Sequence, residues 1–361
     1  MDKNIKKVLK SIEDNGFVAY LVGGYVRDYL LGIKSMDIDI CTNALPKDLH
    51  KIFQINSESN NYGGFNLKVK KYNIDITTFR KELKYDNRKP TEIVYIDSLN
   101  EDVLRRDFTI NSICMDKSEK IIDLVNGIED LNNRKIKMLG NIKERLEEDP
   151  LRILRAIRFS TILNFELDEN LYKGIKENYK LVSNLSETRI KQELNKILMS
   201  KNFLKGLKLL KEFKILDLLE IDYNEITYVN DICGMWAQLK FNKNYSFTKQ
   251  ELTNIINIRQ IIENGRIDEL VSYNHGLYIS LVSAEILNID RKIVTKINNT
   301  LPIKNEKELQ ITNEEIIEIL DIEPSKIIKT IKQEMIEKIL QNKLKNKNME
   351  LRKYVLNRKE M

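Results

Sequence analysis

The spacing of hydrophobic residues along this 361-residue chain changes near position 138. Up to Met138, short runs rich in β-branched residues alternate with amphipathic stretches. From Asn141 onward, leucine and isoleucine recur about every 3.6 residues, the period of an α-helix. The first pattern predicts strands at residues 17–22, 36–42, 66–79, 92–96 and 108–115. The second predicts helices throughout, most clearly at residues 144–163, 188–199 and 202–213.

The loss of predicted strands marks a domain boundary near residue 138. Further breaks in the helical pattern occur at residues 222–224 and 300–305. We therefore expect a mixed α/β segment followed by three helical segments. Their predicted bounds are residues 1–138, 139–222, 223–303 and 304–361.

The overall composition is that of a mildly basic globular protein. Sixty basic and 54 acidic side chains leave a formal net charge of +6, and 42% of the residues are hydrophobic. This excludes a collagen-like, coiled or wholly disordered chain. The N-terminus lacks the apolar core of a signal peptide, and no run reaches the roughly 18 apolar residues of a membrane span. We expect a cytoplasmic protein without a membrane partner.

Cysteine and histidine are too scarce for several kinds of site. Three widely spaced cysteines fit neither a disulfide framework nor a zinc site, and we expect them to be buried, reduced thiols. Two histidines disfavour a histidine-ligated metal and a Ser-His-Asp triad. Carboxylates and arginines must therefore carry any chemistry.

A first cluster of such residues lies between positions 21 and 42. A predicted strand ends in Gly23-Gly24 and leads into a helix carrying Arg27, so that bare backbone amides can approach a phosphate. Asp37 and Asp39 follow on the next strand, where the two-residue period places both carboxylates on one face. A divalent cation such as Mg²⁺ relieves the repulsion of such a pair, whereas a solvated edge strand is the alternative.

These residues resemble the signature of a known family. Gly-Gly-Tyr-Val-Arg-Asp followed by Asp-Ile-Asp is similar to the first motif of class II tRNA nucleotidyltransferases and bacterial poly(A) polymerases. Residues 105–112, RRDFTINS, resemble a second motif of that family, with serine in place of alanine at the end. At the mouth of a strand these residues would place the sugar of a nucleotide, since Asp107 would accept from ribose hydroxyls and Arg106 would stabilise phosphate charge. Asp75, between two isoleucines, is either a third metal-side carboxylate or a surface residue.

A third resemblance concerns residues 148–159, EDPLRILRAIRF. Arg152, Arg155 and Arg158 recur every three residues, which in an unknown protein indicates an amphipathic helix with a solvated basic face. In the family this element selects the nucleotide. The resemblance implies that Asp149 and Arg152 present hydrogen-bonding groups to cytosine or adenine, while Arg155 and Arg158 face the triphosphate. Residues 123–137 and 186–198 also resemble family segments, to which we assign structural roles.

The resemblance implies a fold and a reaction. We expect an α/β nucleotidyltransferase head with a mixed, polymerase-beta-like sheet, followed by an all-α neck, body and tail. The implied activity is template-independent addition of C, C and A to the 3′ end of tRNA from CTP and ATP, with release of pyrophosphate. Asp37 and Asp39 would hold Mg²⁺, and the partners would be the acceptor arm of tRNA and the two nucleotides. No obligate protein partner is implied.

Three alternatives stay open at this point. A poly(A) polymerase shares the head motifs, and an enzyme that adds only A is compatible with the long segment after Arg80, which carries Asp86 and Arg88. A non-catalytic RNA-binding protein is a remote third reading. A fused phosphohydrolase is disfavoured because the helical part contains only His275. The predicted tRNA-binding tail is basic, with eleven basic and four acidic residues between 324 and 361.

Overall fold

A computed structural model describes residues 1–54, 64–86 and 89–359 of the chain. These residues form two compact units, residues 1–220 and residues 221–361. Within the described residues, no helix combines the length and the apolar character needed to cross a membrane. The division into four segments stays a prediction.

The first unit contains one large mixed sheet and two small two-stranded ladders. Its strands are β1 (Ala19–Val22), β2 (Asp37–Thr42), β3 (Gly64–Val69), β4 (Tyr72–Thr78), β5 (Arg80–Asp86), β6 (Lys89–Tyr95), β7 (Cys114–Met115), β8 (Ile121–Ile122), β9 (Lys135–Ile136) and β10 (Glu166–Leu167). The large sheet has the order β3-β4-β2-β1-β7-β8, in which β2 and β4 run parallel. Strands β5 and β6 form a hairpin, and β9 pairs with β10. All but β10 lie before Met138, as the sequence predicts.

Helices form the rest of this unit. They are α1 (Lys3–Glu13), α2 (Gly24–Leu30), α3 (Pro46–Phe53), α4 (Leu99–Leu104), α5 (Gly127–Asn132), α6 (Ile142–Glu148), α7 (Leu151–Leu163), α8 (Glu169–Asn178), α9 (Glu187–Leu198), α10 (Phe203–Glu212) and α11 (Ile215–Leu219). Short 3₁₀ helices span Thr109–Asn111 and Tyr179–Asn184. Helix α7 is buried over most of its length and packs against α9 and α10.

Three predicted elements differ from the structure. Residues 66–79 form two antiparallel strands because Lys70 takes a left-handed conformation that closes a tight turn. The strand predicted at 108–115 is wrong except for its last two residues: Thr109–Asn111 is a 3₁₀ helix held by side chains, and Ser112 Oγ donates to the Phe108 carbonyl at 2.9 Å. The helix predicted at 144–163 is interrupted, because proline disfavours helical backbone at the preceding Asp149.

The second unit is mainly helical and has two regions of hydrophobic packing. Its helices are α12 (Ile232–Ala237), α13 (Lys249–Asn264), α14 (Glu269–Ile286), α15 (Arg291–Thr300), α16 (Asn313–Leu320), α17 (Lys326–Leu340) and α18 (Asn348–Lys359), with a 3₁₀ turn at Glu306–Glu308. Two short strands, β11 (Ile221–Asp222) and β12 (Lys240–Phe241), pair beside the buried Trp236, which packs against three aromatic rings. Isoleucines of α17 and residues Leu351 and Val355 of α18 form the second region.

Candidate active site

The turn between β1 and α2 brings backbone close to a carboxylate. Gly23 follows the strand with φ +77°, a conformation that glycine adopts without strain, and α2 begins at Gly24. A Cβ atom added to Gly23 would lie 2.9 Å from Oδ2 of Asp39. Any side chain at this position would therefore push Asp39 away, so glycine is required here for two reasons.

Two of the predicted carboxylates share one face of β2, which lines the cavity described below. Ile38 and Ile40 point into the core, while Asp37 is exposed and Asp39 is half-buried on the opposite face, as the strand period predicts. Met36, which the same alternation would bury, lies before the strand and is exposed. Burial and, after it, repulsion from Asp37 raise the pKa of Asp39 to about 6. An all-oxygen pair that opposes its own ionisation fits a hard divalent cation.

Asp75 occupies a neighbouring position without joining this pair. It lies on β4 directly beside Asp39 in the parallel ladder, and burial followed by repulsion from Asp37 raises its pKa. Its side chain does not line the cavity described below. In the described part of the chain, no three His, Cys, Asp or Glu side chains are grouped so as to hold a metal ion. The third-carboxylate role of Asp75 stays a prediction.

Helix α7 provides another part of the cavity wall. Arg152 and Arg158 are buried and Arg155 is partly so, which departs from the solvated basic face typical of an amphipathic helix. Each guanidinium is held by an acid. Arg152 pairs with Glu148 at 2.9 Å, Arg155 donates from Nε to Asp107 at 2.8 Å, and Arg158 pairs with Glu193 at 3.2 Å. Burial lowers the pKa of Arg158 to about 10 despite the nearby Glu193.

An aromatic ring lies among these cations. Phe159, the residue after Arg158, has three guanidinium carbons near its ring centroid: Arg158 at 4.3 Å, Arg27 at 5.3 Å and Arg155 at 5.4 Å. Cation–π attraction favours such an arrangement and offsets part of the repulsion between like charges. No role for Phe159 was predicted from the sequence. The feature of the sequence that could have indicated a role for Phe159 is its position directly after three arginines at three-residue spacing.

A buried carboxylate that was not predicted from the sequence organises the second motif. Asp102 is fully buried on α4 and accepts from Arg105 Nε at 2.8 Å, from Arg106 Nη2 at 3.0 Å and from the backbone amide of Arg80 at 3.2 Å. Burial by itself would raise the pKa of Asp102, but the two arginines lower it below its ordinary value. Its spacing of four residues from Arg106 on a helical segment could have suggested this pair.

Asp107 and Arg27 are fixed by the short 3₁₀ helix. Asp107 accepts from Asn111 Nδ2 at 3.3 Å as well as from Arg155, and Asn111 Oδ1 accepts from Arg27 Nη1 at 2.7 Å. Arg27 also pairs with Asp28 at 2.6 Å. A contact between Asp107 and a sugar stays a prediction, because in the structure this carboxylate serves first to hold Arg155.

The segment between α6 and α7 places the two residues expected to read the base. Asp149 is extended, and its Oδ1 accepts from the amide of Leu151 at 3.1 Å, which fixes the carboxylate at the start of α7. Arg152 lies one turn further along, with Nη1 held by Glu148. Both line the cavity. Their role in choosing the nucleotide stays a prediction.

All these walls enclose a cavity of about 590 Å³ within the first unit. It brings together most of the residues selected from the sequence: Gly23, Gly24, Arg27, Asp37, Asp39, Arg106, Asp107, Asp149, Arg152, Arg155 and Arg158. Lining residues without a predicted role are Asp28, Ser35, Glu82, Arg105, Asn111, Phe159, Ile162 and Lys196. Arg88 falls outside the described residues, as does the side chain of Asp86, so the expectation attached to them is untested.

The segment at residues 123–137 closes a turn, as expected of it from the sequence. Asp123 accepts from the amides of Gly127 and Ile128 at 3.0 and 2.8 Å and so closes the turn before α5. A Cβ atom at Gly127 would lie 2.4 Å from the carbonyl oxygen of Thr109, which explains the glycine. Within the part of the chain that the structure describes, all three cysteines are buried and none forms a disulfide, in agreement with the expectation from the sequence.

Comparisons with known proteins cover nearly the whole chain. Family models match residues 19–137 as the Poly A polymerase head domain, residues 164–223 as a probable RNA and SrmB-binding site of polymerase A, and residues 228–355 as tRNA nucleotidyltransferase domain 2. The CCA-adding enzymes of Staphylococcus aureus strains RF122 and Newman are each 36% identical over 279 residues, which is 73% of this chain and 70% of theirs.

Solved structures share the fold. The Bacillus stearothermophilus CCA-adding enzyme in complex with CTP aligns with a TM-score of 0.86 at 23% identity, covering 100% of this chain and 98% of that one. The Thermotoga maritima CCA-adding enzyme complexed with tRNA aligns with a TM-score of 0.67 at 22% identity, covering 99% and 96%. The α/β head and the helical remainder expected from the sequence are thereby confirmed. The chain belongs to the CCA-adding enzyme family of nucleotidyltransferases.

Proposed function

We propose that this protein adds C, C and A to the 3′ end of tRNA from CTP and ATP, releasing pyrophosphate at each step. The observation that carries the proposal is the cavity itself, in which a carboxylate pair faces a wall of arginines. The relatives named above are CCA-adding enzymes, and two related structures hold CTP or tRNA. We expect the reaction to take place in the cytoplasm, where tRNA and nucleoside triphosphates occur together.

The carboxylate pair supplies the metal-binding part of the site. Asp37 and Asp39 offer oxygen ligands on one side of the cavity, and Mg²⁺ is commonly bound by one or two carboxylates together with substrate phosphates. A divalent cation held by these carboxylates would lower the pKa of the attacking 3′-hydroxyl and stabilise the charge on the leaving pyrophosphate. The protein itself holds the two carboxylates in place through the buried neighbours Ile38 and Ile40.

The arginines hold the nucleotide. Arg27, Arg155 and Arg158 surround Phe159, and the amides at Gly23 and Gly24 lie at the start of α2, so that the phosphates of a nucleotide meet fixed positive charge. Because acids position the guanidiniums before substrate arrives, little reorganisation is needed on binding. Arg106, held by Asp102, contributes from the head side.

Asp149 and Arg152 supply the selectivity. A carboxylate accepts hydrogen bonds and a guanidinium donates them, so the pair matches the amino group and ring acceptor that cytosine and adenine both present. Guanine and uracil present these groups in a different order. The pair also explains how a nucleotide can be chosen without a nucleic-acid template.

Incubation with three tRNAs tests the proposal. The tRNAs end before CCA, after C and after CC, and each is supplied with one nucleotide at a time. CCA addition requires C transfer to the first two and A transfer to the third. An enzyme that adds only AMP, and only to the third tRNA, would be an A-adding enzyme. Synthesis of long poly(A) tracts on unrelated RNA would identify a poly(A) polymerase. A protein that binds tRNA without extending any of the three would be a non-catalytic RNA-binding protein.

A further inference from the structure

Almost all of the positively charged side chains in the cavity form ion pairs with carboxylates of the protein. Of the residues that the structure describes, seven with basic side chains line the cavity, and six of these are arginines that form ion pairs. Their carboxylate partners are Asp28, Glu82, Asp102, Asp107, Glu148 and Glu193. The seventh is Lys196. Among the side chains that the structure describes, which leave out residues 55–63, 84–91 and 359–361, none forms a hydrogen bond or an ion pair with the ammonium of Lys196.

The position of Lys196 follows from helix α9. Glu193 lies three residues earlier and pairs with Arg158, so residues 193 and 196 share the face of α9 that packs on α7. Burial lowers the pKa of Lys196 and Arg158 lowers it further, whereas Glu193 and Asp37 raise it. Lys196 lines the same cavity as the arginines of α7 and the carboxylates Asp37 and Asp39. An anion that enters the cavity relieves the repulsion between Lys196 and Arg158.

The chemistry of a lysine suits a mobile, highly charged ligand. An ammonium on a flexible stem is a point charge with three donors, and it follows phosphate oxygens without demanding a fixed planar geometry. The arginines, each fixed by an acid, cannot move with the phosphates in the same way. A nucleotide's terminal phosphates change position most during transfer, because they depart as pyrophosphate.

We propose that Lys196 binds the terminal phosphates of the incoming nucleoside triphosphate and the pyrophosphate that leaves. This assigns substrate contact to a helix that was expected from the sequence to have only a supporting role. The inference rests on the proposed function, since it presumes a nucleoside triphosphate in this cavity. It does not require that tRNA be the second substrate.

Binding measurements with Lys196→Met test the assignment, since methionine keeps much of the length and removes the charge. We expect the dissociation constants for CTP and for inorganic pyrophosphate to rise about ten- to a hundred-fold, the effect of losing a charge-assisted hydrogen bond. Affinity for CMP should stay within about two-fold of the parent. Lys196→Arg should recover most of the loss. Lys191→Met, on the same helix but outside the cavity lining, is the matched control and should bind all three as the parent does.

Other outcomes overturn the assignment. Unchanged affinity of Lys196→Met for CTP and pyrophosphate shows that the phosphates lie elsewhere. An equal loss for CTP and CMP, or a lowered melting temperature that Lys196→Gln shares, indicates a structural role. A loss confined to tRNA binding places a tRNA phosphate at this lysine. If the parent binds CTP and depends on Lys196 but extends no tRNA, the proposed function fails while the lysine assignment stands.

Discussion

The cavity has a carboxylate wall, formed by Asp37 and Asp39 on β2, and an arginine wall, formed by Arg152, Arg155 and Arg158 on α7. The two walls differ in whether the protein compensates their charge. On β2, Asp37 and Asp39 lie close to each other, and burial together with mutual repulsion raises the pKa of Asp39. On α7, each arginine is held by a carboxylate from another part of the unit, as Arg158 is by Glu193. The carboxylates of β2 are therefore not compensated by each other, whereas each arginine of α7 is paired with an acid.

The difference indicates what each wall has to do. A group that must bind a cation keeps its affinity only if the protein does not neutralise it first. A group that must orient a polyanion gains more from a fixed position than from unopposed charge, because pre-organised dipoles and charges cost no reorganisation during the reaction. Substitutions on the two walls should consequently impair different properties of the protein.

Asp39→Asn tests the carboxylate wall and should have the largest effect. Loss of one carboxylate weakens metal-dependent activation by several kcal/mol, so we expect nucleotide transfer to fall by about a thousand-fold or more. Binding of tRNA should stay within a few-fold of the parent, since phosphate contacts elsewhere dominate RNA affinity. Single-turnover transfer and filter binding with labelled tRNA measure the two quantities separately.

Asp75→Asn is the companion variant, because Asp75 lies beside Asp39 in the ladder but outside the cavity lining. A third metal-side carboxylate requires a loss comparable to that of Asp39→Asn, whereas a bystander leaves transfer nearly intact. Near-normal transfer by Asp39→Asn itself would contradict the assignment of the carboxylate wall.

Asp102→Asn tests the support behind Arg105 and Arg106. The substitution removes the buried charge that pairs with Arg106 and leaves Arg105 with Glu82, so we expect the free energy of unfolding to fall by about 3 kcal/mol. Denaturant unfolding at neutral pH measures this. Glu101→Gln, on the same helix and exposed, should be close to the parent.

The pH dependence of this deficit has a defined sign. The pKa of Asp102 in the folded protein lies below its ordinary value of 3.8, so the stability it contributes is present above that value and is lost as the pH falls through the lowered pKa. The difference in unfolding free energy between Asp102→Asn and the parent should consequently be equal at about pH 6 and about pH 8. A deficit that changed within this range would mean that another group carries the effect.

Asp149→Ala tests whether the arginine wall also selects the nucleotide. Loss of a hydrogen bond to a base edge costs about 1–3 kcal/mol, so discrimination against UTP and GTP should relax by roughly one to two decades. Arg152→Ala should relax it similarly, although that arginine also holds Glu148. The measurement is kcat/KM for each of the four nucleotides. If both variants reject UTP and GTP as the parent does, the selectivity lies elsewhere.

The contrast between the walls also explains what the sequence could and could not predict. The carboxylate wall depends on local spacing: Asp37 and Asp39 alternate with buried isoleucines on one strand, and the glycine turn lies shortly before them. Such features follow from the two-residue period and from backbone conformation. The mixed α/β head and helical remainder were predictable for the same reason, since each reflects a period along the chain.

Two of the three arginines on α7 depend on partners that are distant in the sequence, whereas Arg152 pairs with Glu148 four residues earlier. Asp107 precedes Arg155 by 48 residues, and Glu193 follows Arg158 by 35. A single sequence gives no measure of which acid meets which arginine, so the burial of α7 and the isolation of Lys196 emerge only from the fold. The strand predicted at 108–115 failed for a related reason, because Thr109 donates to Asp130 and Asn111 accepts from Arg27, and these contacts to other segments stabilise a 3₁₀ turn there.

The basic surface of the second unit is expected to give the smallest effect per residue. Unlike the arginines of α7, the lysines at positions 326, 329, 343, 345, 347 and 353 are exposed, and we expect them to neutralise tRNA phosphates without fixed geometry. Deleting residues 342–361 would also remove Leu351 and Val355, which are fully buried, so the deletion would confuse loss of charge with loss of packing.

Glutamine at positions 343, 345, 347 and 353 removes four charges and leaves the buried residues in place. For each tRNA phosphate that is no longer neutralised, the slope of log affinity for tRNA against log salt should flatten by about 0.7 to 0.9, while affinity for CTP stays unchanged. Glutamine at Lys173 and Lys176 on α8, in the first unit, is a matched control for charge loss on a helix surface. An unchanged salt slope in a variant with the parent's melting temperature would show that tRNA is held by other residues, and the exposed lysines would then serve only as solvated surface.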